Sequence, residues 1–373
     1  MLRRVAAILG IAFATIVLLE LGVLLGVESG LVRGVARPSY GAESYWWGGH
    51  PELGVWRHPN ASFEHRSACF DVAYRTNSAG ARDVERERSA SRPRVVVLGD
   101  SFLEGWGIAD GRRLSDRLEA ATGIEHLNFA MSHFGPYQEV LAYRTLAKRY
   151  DHDGVLIGIL PANDFVDSDL DLALGLADYE YRYRPYLVGD PPDYTRFDYR
   201  ESAWRRALRE YSYAFNALLR AQVLLASPAS GTGPSAPADP AARRFPSWYY
   251  DFGEAQVARL EWILKQLVRE AEGRPVEVVL IPVADDFRRQ AVSGANPLGA
   301  RLVRIEGLRV LDLLPAMANP QGAWGRYFLA CDYHWNSDGN EAASRRVMAA
   351  LRDTFYRDVE SRRRAGDTAD PGH

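Results

Sequence analysis

The sequence has almost no excess of charge of either sign. Its 373 residues include 45 lysines and arginines against 48 aspartates and glutamates, which leaves a formal net charge of −3. Because binding to a phosphate backbone requires a broad basic surface, we expect no nucleic-acid partner. Internal repeats are also missing, and 47% of the residues are hydrophobic. This composition is enough for one large core or for two smaller domains.

Cysteine is scarce, with Cys69 and Cys331 as the only two. In a reducing compartment they would be two unrelated thiols, whereas outside the cytoplasm an even number favours a disulfide. The sequence leaves both interpretations open. A Cys69–Cys331 bridge would join an N-terminal segment to the residues directly before Asp332.

Charge is missing from the N-terminal run 5–27, except at Glu20. A helix of this length, at 1.5 Å per residue, spans about 30 Å of hydrocarbon, so residues 1–30 are predicted to form a single-pass membrane anchor. Arg3 and Arg4 precede the run and should stay in the cytoplasm, which puts the rest of the chain on the periplasmic side of a bacterial inner membrane. A cleaved signal peptide is the alternative, but the run is long for one and no small-x-small cleavage site follows it closely. Glu20 is expected near the outer interface or against a partner helix.

Short apolar runs alternate with helical segments along the rest of the chain. Strands are predicted at 94–98, 126–129, 154–160, 276–281 and 310–313. Helices are predicted at 113–122, 136–150, 251–271 and 341–356. This alternation favours an α/β fold of three layers, in which a doubly wound, flavodoxin-like parallel sheet of five strands carries helices on both faces.

Four further segments complete the predicted organisation. Residues 31–92 form a lead-in that packs on the core, residues 93–360 form the α/β domain, and residues 361–373 form a flexible tail. A large helical and loop insertion interrupts the domain at about 166–250, where tyrosines and arginines are frequent. It is predicted to form a packed cap or a substrate lid, with one helix over 204–225.

Ser101 is the first of the candidate functional residues. It follows the first predicted strand in Gly99-Asp100-Ser101, where open parallel sheets form their binding crevices. A hydroxyl there can use backbone donors and the field of the following helix. Such a tripeptide is also common in ordinary turns, so the functional assignment of Ser101 depends on the other candidate residues found with it.

His334 and Asp332 precede the last helix in Asp332-Tyr333-His334. A nucleophilic serine needs a base, and imidazole has a suitable pKa near neutrality. An aspartate two residues earlier can hold Nδ1 of the imidazole and leave Nε2 for the serine. A lone histidine is usually structural, but that explanation must also cover Ser101 and Asn163, which lie at strand ends as well.

Two loops are candidates for binding an oxyanion. The loop 128–135 follows the second strand, and Asn163 with Asp164 follows the third. Both also suit ordinary turns. His133 within the first loop could contact substrate, but a packed neutral imidazole is favoured over a metal ligand because no second ligand lies nearby in sequence. We therefore expect no metal and no cofactor.

These segments resemble the SGNH (GDSL-type) hydrolase superfamily. The resemblance covers about 94–356 without the insertion and rests on Gly99-Asp100-Ser101, the loop 128–135, Asn163-Asp164, Asp332-Tyr333-His334 and the lead-in segment 77–83. It implies that Ser101 is the nucleophile, His334 the base and Asp332 its partner. It also implies an oxyanion hole formed by the Ser101 amide, an amide of the loop 128–135 and the Asn163 side chain.

The chain departs from the superfamily at two positions. The glycine of the second block falls on His133 here, so either the His133 amide or the Gly135 amide would donate to the oxyanion. The spacing Asp-x-His replaces the more frequent Asp-x-x-His and resembles that of alginate-type O-acetyltransferases. Asp312, at the end of the fifth strand, is the alternative partner for His334.

The resemblance implies an extracytoplasmic serine enzyme that acts on acyl esters through an acyl-enzyme. Hydrolysis of an acylated glycan or lipid is the expected reaction. The first alternative is an O-acyltransferase that modifies an envelope or secreted polysaccharide, together with polysaccharide-assembly partners. The second is a non-catalytic glycan-binding or assembly protein with a vestigial site.

Overall fold

The computed structural model describes residues 1–32, 35, 37–38, 46–175, 183–200, 202–226, 247–293, 297–318 and 323–369. An N-terminal helix, α1, comprises Leu2–Glu28. Within the described residues it is the one helix that is long and apolar enough to cross a membrane. Anchors and signal sequences share these properties. The structure therefore confirms the apolar helix expected from the run 5–27.

The lead-in forms two antiparallel hairpins. They consist of β1 (Trp47–His50) with β2 (Gly54–Arg57), and β3 (Ser62–Ser67) with β4 (Phe70–Arg75). Cys69 lies in the turn of the second hairpin and is joined to Cys331 by a disulfide. Of the two interpretations that the sequence left open, the structure has the disulfide.

The first half of the core follows the predicted alternation closely. Its elements are β5 (Arg94–Leu98), α2 (Ser101–Glu104), α3 (Leu114–Thr122), β6 (Glu125–Asn128), α4 (Pro136–Thr145) and β7 (Gly154–Ile159). Every residue of β5 and β7 is buried, as their apolar runs predict for central parallel strands. Gly123 ends α3 with a left-handed φ of 72°, and Pro136 begins α4.

The insertion contains a hairpin and several helices. They are α5 (Pro161–Asp167), α6 (Leu170–Gly175), β8 (Tyr183–Val188), β9 (Thr195–Arg200), α7 (Ala203–Tyr211) and α8 (Tyr213–Ala226). The prediction of one helix over 204–225 is wrong, because Ser212 is extended and separates α7 from α8. The side chain of Ser212 and the next two amides bond to Glu20 of α1, which fixes the break.

The second half of the core completes the sheet. Its elements are α9 (Glu254–Glu270), β10 (Val276–Leu280), α10 (Ala284–Ser293), α11 (Pro297–Leu302), β11 (Leu308–Asp312), α12 (Leu313–Met317), α13 (Ser337–Leu351) and α14 (Arg357–Ala369). Helix α14 differs from the flexible tail expected over 361–373. Arg363 forms an ion pair with Asp153 at 2.9 Å, which ties this helix to the loop before β7.

The five-stranded sheet has the order β11-β10-β7-β5-β6, and all of its pairs are parallel. Numbered along the chain this order reads 5-4-3-1-2, the flavodoxin-like arrangement with its switch point beside β5. Helix α4 packs against α9, and α3 packs against α13. The α/β fold class is therefore confirmed. Val97 pairs with both Asn128 and Leu156, so the loops after β5, β6 and β7 leave the same edge of the sheet.

Candidate active site

Ser101 is the first residue of the short helix α2, directly beyond β5. The carboxylate of Asp100 caps this helix by accepting a hydrogen bond from the Phe102 amide at 2.9 Å. The Ser101 amide, as the first of the helix, has no acceptor within the helix. Ser101 is buried, with only 5% of its surface exposed, so its hydroxyl is held away from bulk water.

Ser101, His334 and Asp332 form one hydrogen-bonded line. The distance from Ser101 Oγ to His334 Nε2 is 2.7 Å, and that from His334 Nδ1 to Asp332 Oδ1 is 2.6 Å. Oδ1 also accepts from the His334 amide at 3.2 Å. With Nδ1 protonated toward the carboxylate, Nε2 is left to accept the serine proton. The three residues that the sequence singled out for acid–base chemistry are thus in direct contact.

Asp332 carries a carboxylate at neutral pH. Burial raises its pKa, but the hydrogen bond and the charge of His334 oppose this effect, and the amide of His334 and the indole of Trp106 add further bonds. The result is a lowering of the pKa of Asp332 to about 2. The alternative partner, Asp312, instead caps α12 by accepting from the Leu314 amide at 2.8 Å.

Trp106 is a residue that the sequence analysis missed. Its Nε1 donates to Asp332 Oδ2 at 3.0 Å, and its ring stacks on the His334 imidazole with centroids 5.2 Å apart. Tyr333 and Phe102 also contact the imidazole, at 4.4 and 4.9 Å. The signal in the sequence was weak, because a tryptophan five residues after a serine looks like any core aromatic.

The loop 128–135 passes beside Ser101. Asn128 anchors its start, because its side chain donates to the Leu103 carbonyl at 2.8 Å and to Ser115 at 2.9 Å. His133 has a φ of 65°, in the left-handed region that glycine adopts at little cost. It thus occupies a conformation that suits the glycine of the superfamily. Of the two candidate amides, that of Gly135 already donates to the side chain of Gln138, at 3.5 Å.

Asn163 lies next to Asp100 at the beginning of α5. Its Nδ2 donates to Asp100 Oδ2 at 3.3 Å, a long bond that a stronger acceptor could replace. Its Oδ1 is buried and has no hydrogen-bond partner among the described residues. Burial raises the pKa of Asp100 to about 6, although the amide of Phe102 and the charge of His334 act in the opposite direction.

An arginine of the insertion contacts the loop 128–135. Arg184 of β8 is buried, forms an ion pair with Asp167 and donates to the His133 carbonyl. This contact links the insertion to the conformation of His133. The sequence showed only that arginines are frequent in this region, and nothing there distinguished Arg184 from its neighbours.

The lead-in also supports the loops of the candidate site. Arg82 donates to the carbonyls of Glu104, Gly105 and Ile108, at 3.0, 2.6 and 2.5 Å. Asp83 accepts from the Asn128 amide at 3.2 Å. The segment 77–83 therefore fixes both the end of α2 and the start of the loop 128–135, which gives a physical reason for its place in the motif.

A cavity of about 200 Å³ lies beside these loops. Most of its lining is apolar or aromatic, with Trp46, Val55 and Phe63 from the lead-in facing Trp106, Met131 and His133. Trp106 is shared, since it lines the cavity and stacks on His334.

Buried acids surround Asp100 on the side of α4 and α5. Burial first, and the neighbouring negative charges second, raise the pKa values of Glu139, Asp164 and Asp167 well above their ordinary values. Their protonated forms are therefore favoured relative to acids in water. Within the described ranges no group of three or more histidines, cysteines and acids has a geometry that could hold a metal.

Residues 254–371, about a third of the chain, match the family model described as SGNH hydrolase-like domain, acetyltransferase AlgX. This range includes Asp332 and His334 but not Ser101. No curated protein matches the chain by sequence.

Solved structures give remote likenesses. A member of the lipolytic protein G-D-S-L family from Veillonella parvula DSM 2008 is 10% identical, with a TM-score of 0.36 over 69% of this chain and 98% of that one. A lipase/acylhydrolase from Enterococcus faecalis is 13% identical, with a TM-score of 0.37 over 70% and 96%. A two-domain esterase active on acetylated mannans is 10% identical, with a TM-score of 0.38 over 72% and 50%. TM-scores this low support no inference. The family match over residues 254–371 supports the resemblance that the motifs carry: this part of the chain is similar to an SGNH hydrolase-like domain of the AlgX acetyltransferase type.

Proposed function

We propose that the protein is a serine-dependent esterase that cleaves acyl esters of a glycan or lipid outside the cytoplasm. The observation that carries this proposal is the line from Ser101 Oγ through His334 to Asp332, with contacts of 2.7 and 2.6 Å. Such a line gives a hydroxyl a base and gives the base a fixed tautomer. A vestigial binding site would have no need to keep this geometry.

In the proposed mechanism, Nε2 of His334 removes the Ser101 proton as Oγ attacks the ester carbonyl. Asp332 stabilises the imidazolium that forms. The carbonyl oxygen becomes an oxyanion, which the amides of Ser101 and His133 and the Nδ2 group of Asn163 would stabilise. His334 then returns the proton to the leaving alcohol, and an acyl-enzyme remains on Ser101. Water, activated by the same imidazole, releases the acid and restores the hydroxyl.

A second candidate is transfer of the acyl group to a sugar hydroxyl instead of water. The specific observation in its favour is the AlgX-type match over residues 254–371, which contains the Asp332–His334 pair. The chemistry up to the acyl-enzyme is the same, and only the acceptor differs.

The extracytoplasmic location is part of the proposal. It is supported by the disulfide, which persists in oxidising compartments, and by α1 with its preceding arginines. We assign the 200 Å³ cavity to the acyl group, because its apolar walls adjoin both His133 and Trp106. Acylated glycans and polysaccharide-assembly proteins remain the proposed partners.

Two measurements test the proposal. A fluorophosphonate probe should label the folded protein at Ser101, and the Ser101→Ala variant should remain unlabelled. Release of 4-nitrophenol from 4-nitrophenyl acetate should then be followed with and without oligosaccharide acceptors. Release that is independent of acceptor supports the esterase, and acylated sugar supports transfer. Failure of the probe to label a protein of native fold would exclude both.

A further inference from the structure

Helix α7 exposes its apolar side and turns its charged side inward. Trp204, Leu208 and Tyr211 repeat at helical spacing on one face and are 63%, 43% and 57% exposed. On another face, Arg206 and Glu210 form an ion pair at 2.8 Å, and their side chains are only 32% and 12% exposed. A helix on a water-facing surface would have the opposite arrangement, so the apolar face of α7 is built for a partner other than water.

Helix α8 is fastened to α1 at its N-terminus. The carboxylate of Glu20 accepts from the Ser212 hydroxyl at 2.8 Å and from the amides of Tyr213 and Ala214 at 2.5 and 3.0 Å. The Tyr213 hydroxyl donates to Glu28 at 2.8 Å. The first amides of a helix have no acceptor within the helix, and an anion that binds them caps it. The Glu20 carboxylate therefore supplies acceptors for the first amides of α8, and these amides stabilise its negative charge. This explains the one charge in an otherwise apolar run.

The position of Glu20 along α1 sets the level of this junction. Sixteen residues separate it from Arg4, which corresponds to about 24 Å at 1.5 Å per residue. The hydrocarbon core is about 30 Å thick, so the junction lies near its outer boundary when Arg4 is at the inner one. The Trp204 ring contacts the Phe215 ring of α8 at 6.4 Å, which keeps α7 beside the junction. Tryptophan and tyrosine favour this interfacial level.

We propose that α7 and α8 form a second membrane contact, lying in the outer interface of the bilayer that α1 crosses. Trp204, Leu208 and Tyr211 face lipid, and on α8 the exposed Leu218 extends the same surface. The partner is the lipid bilayer, because the helices join a membrane-spanning helix at the depth where lipid begins. The catalytic domain is thereby held at a defined orientation to the membrane. The inference requires that α1 stays uncleaved, and it is independent of the catalytic residues.

The test uses the full-length protein in phosphatidylcholine nanodiscs. Both native cysteines are in the disulfide, so a single introduced cysteine can carry a fluorophore. Trp204→Cys and Leu208→Cys are the test positions, and Val303→Cys is the matched control, since Val303 is an equally exposed apolar residue outside the insertion. We expect lipid-borne doxyl groups to quench the two test labels, and aqueous iodide to quench them at least fivefold less than the control label.

Three outcomes overturn the proposal. Quenching of the test labels by iodide as strong as that of the control would mean that water covers α7. Shielding from iodide without quenching by doxyl lipid would mean that protein, such as a second copy of the chain, covers the face. Removal of α1, detected by intact-mass analysis, would also contradict the proposal.

The capping of α8 by Glu20 can be tested separately, by hydrogen exchange. Glu20→Ala should raise the hydrogen-exchange rates of the Tyr213 and Ala214 amides at least tenfold. Glu28→Ala removes the Tyr213 hydroxyl contact and the Arg37 ion pair but no bond to these amides, so it should not. Hydrolysis of soluble 4-nitrophenyl acetate should be unchanged in both variants. Unchanged exchange in Glu20→Ala would refute the capping of α8 by Glu20. A catalytic defect common to both variants would concern the proposed function and not the capping.

Discussion

Replacement of Asp332 by asparagine gives the sharpest test of the active site. In the native protein, Oδ1 accepts from His334 Nδ1 and from the His334 amide, while Oδ2 accepts from Trp106 Nε1. The carboxylate thus meets three donors and donates to none. Asparagine has only one acceptor oxygen, and its NH₂ group must face one of these donors.

Both orientations of the asparagine are unfavourable. If its oxygen faces His334, the NH₂ group meets the indole N–H of Trp106. If its oxygen faces Trp106, the NH₂ group donates to Nδ1 and selects the tautomer with its proton on Nε2, which cannot accept the Ser101 proton. The charge that stabilised the imidazolium is also lost in either case. A wrong tautomer of this kind costs about 10⁴ in kcat, or about 5.5 kcal/mol.

The Asp332→Asn variant should therefore lose about 10³- to 10⁴-fold of kcat/KM toward 4-nitrophenyl acetate, with its Tm preserved. Trp106→Phe keeps an aromatic ring on His334 and loses one hydrogen bond, so it should cost about three- to tenfold. The double variant should regain about tenfold over Asp332→Asn alone, because the asparagine oxygen can then face His334 without a conflict. Activity of Asp332→Asn within tenfold of wild type would refute the assigned role of Asp332. A double variant no faster than Asp332→Asn would refute the argument from Trp106.

Three further predictions concern other parts of the molecule. Replacing both Cys69 and Cys331 by serine should lower the free energy of unfolding by about 2–5 kcal/mol, as expected for a disulfide that closes a long loop. Denaturant titration of the variant and the wild type measures this loss, and an unchanged midpoint would contradict it. His133→Gly should keep kcat/KM within about threefold, since glycine retains the amide and accepts the left-handed backbone, while a much larger loss would assign the role to the imidazole. Glu139→Gln should raise Tm at alkaline pH and leave it nearly unchanged near pH 4. The raised pKa of the buried Glu139 stabilises the fold below the ordinary value of 4.5, and this contribution is lost as pH rises through the folded value. Equal Tm differences at pH 4 and pH 9 would disprove this linkage.

The central sheet could be predicted because its strands have unambiguous local signals. The strands β5, β7 and β10 are short, mainly apolar segments that are buried throughout, and each predicted strand lies within a few residues of an observed one. Ser101 and Asn163 could be found because parallel strands deliver their carboxyl ends to a common edge. His334 follows β11 only after α12, so it was recognised by its spacing from Asp332 and not by a strand end. The contact of Asp332 with His334 could be predicted because the two residues are only two positions apart in the chain.

Other features depend on partners that are distant in sequence. The break at Ser212 is set by Glu20, which lies 192 residues away, so no pattern within 204–225 could reveal it. Arg184 acts through the His133 carbonyl, and a backbone acceptor leaves no signature in the sequence. The β8–β9 hairpin was hidden in a segment recognised only by its tyrosines and arginines.

The Cys69–Cys331 disulfide also bears on when the site matures. Cys331 directly precedes Asp332, and Cys69 belongs to a hairpin whose other residues line the cavity beside Trp106. In the proposed extracytoplasmic location, the chain would be made in a reducing cytoplasm, where the loop with Asp332 and His334 has no covalent tie to the lead-in. Oxidation after export would add that tie, so the loop would reach its cross-linked form only in the compartment where the disulfide persists.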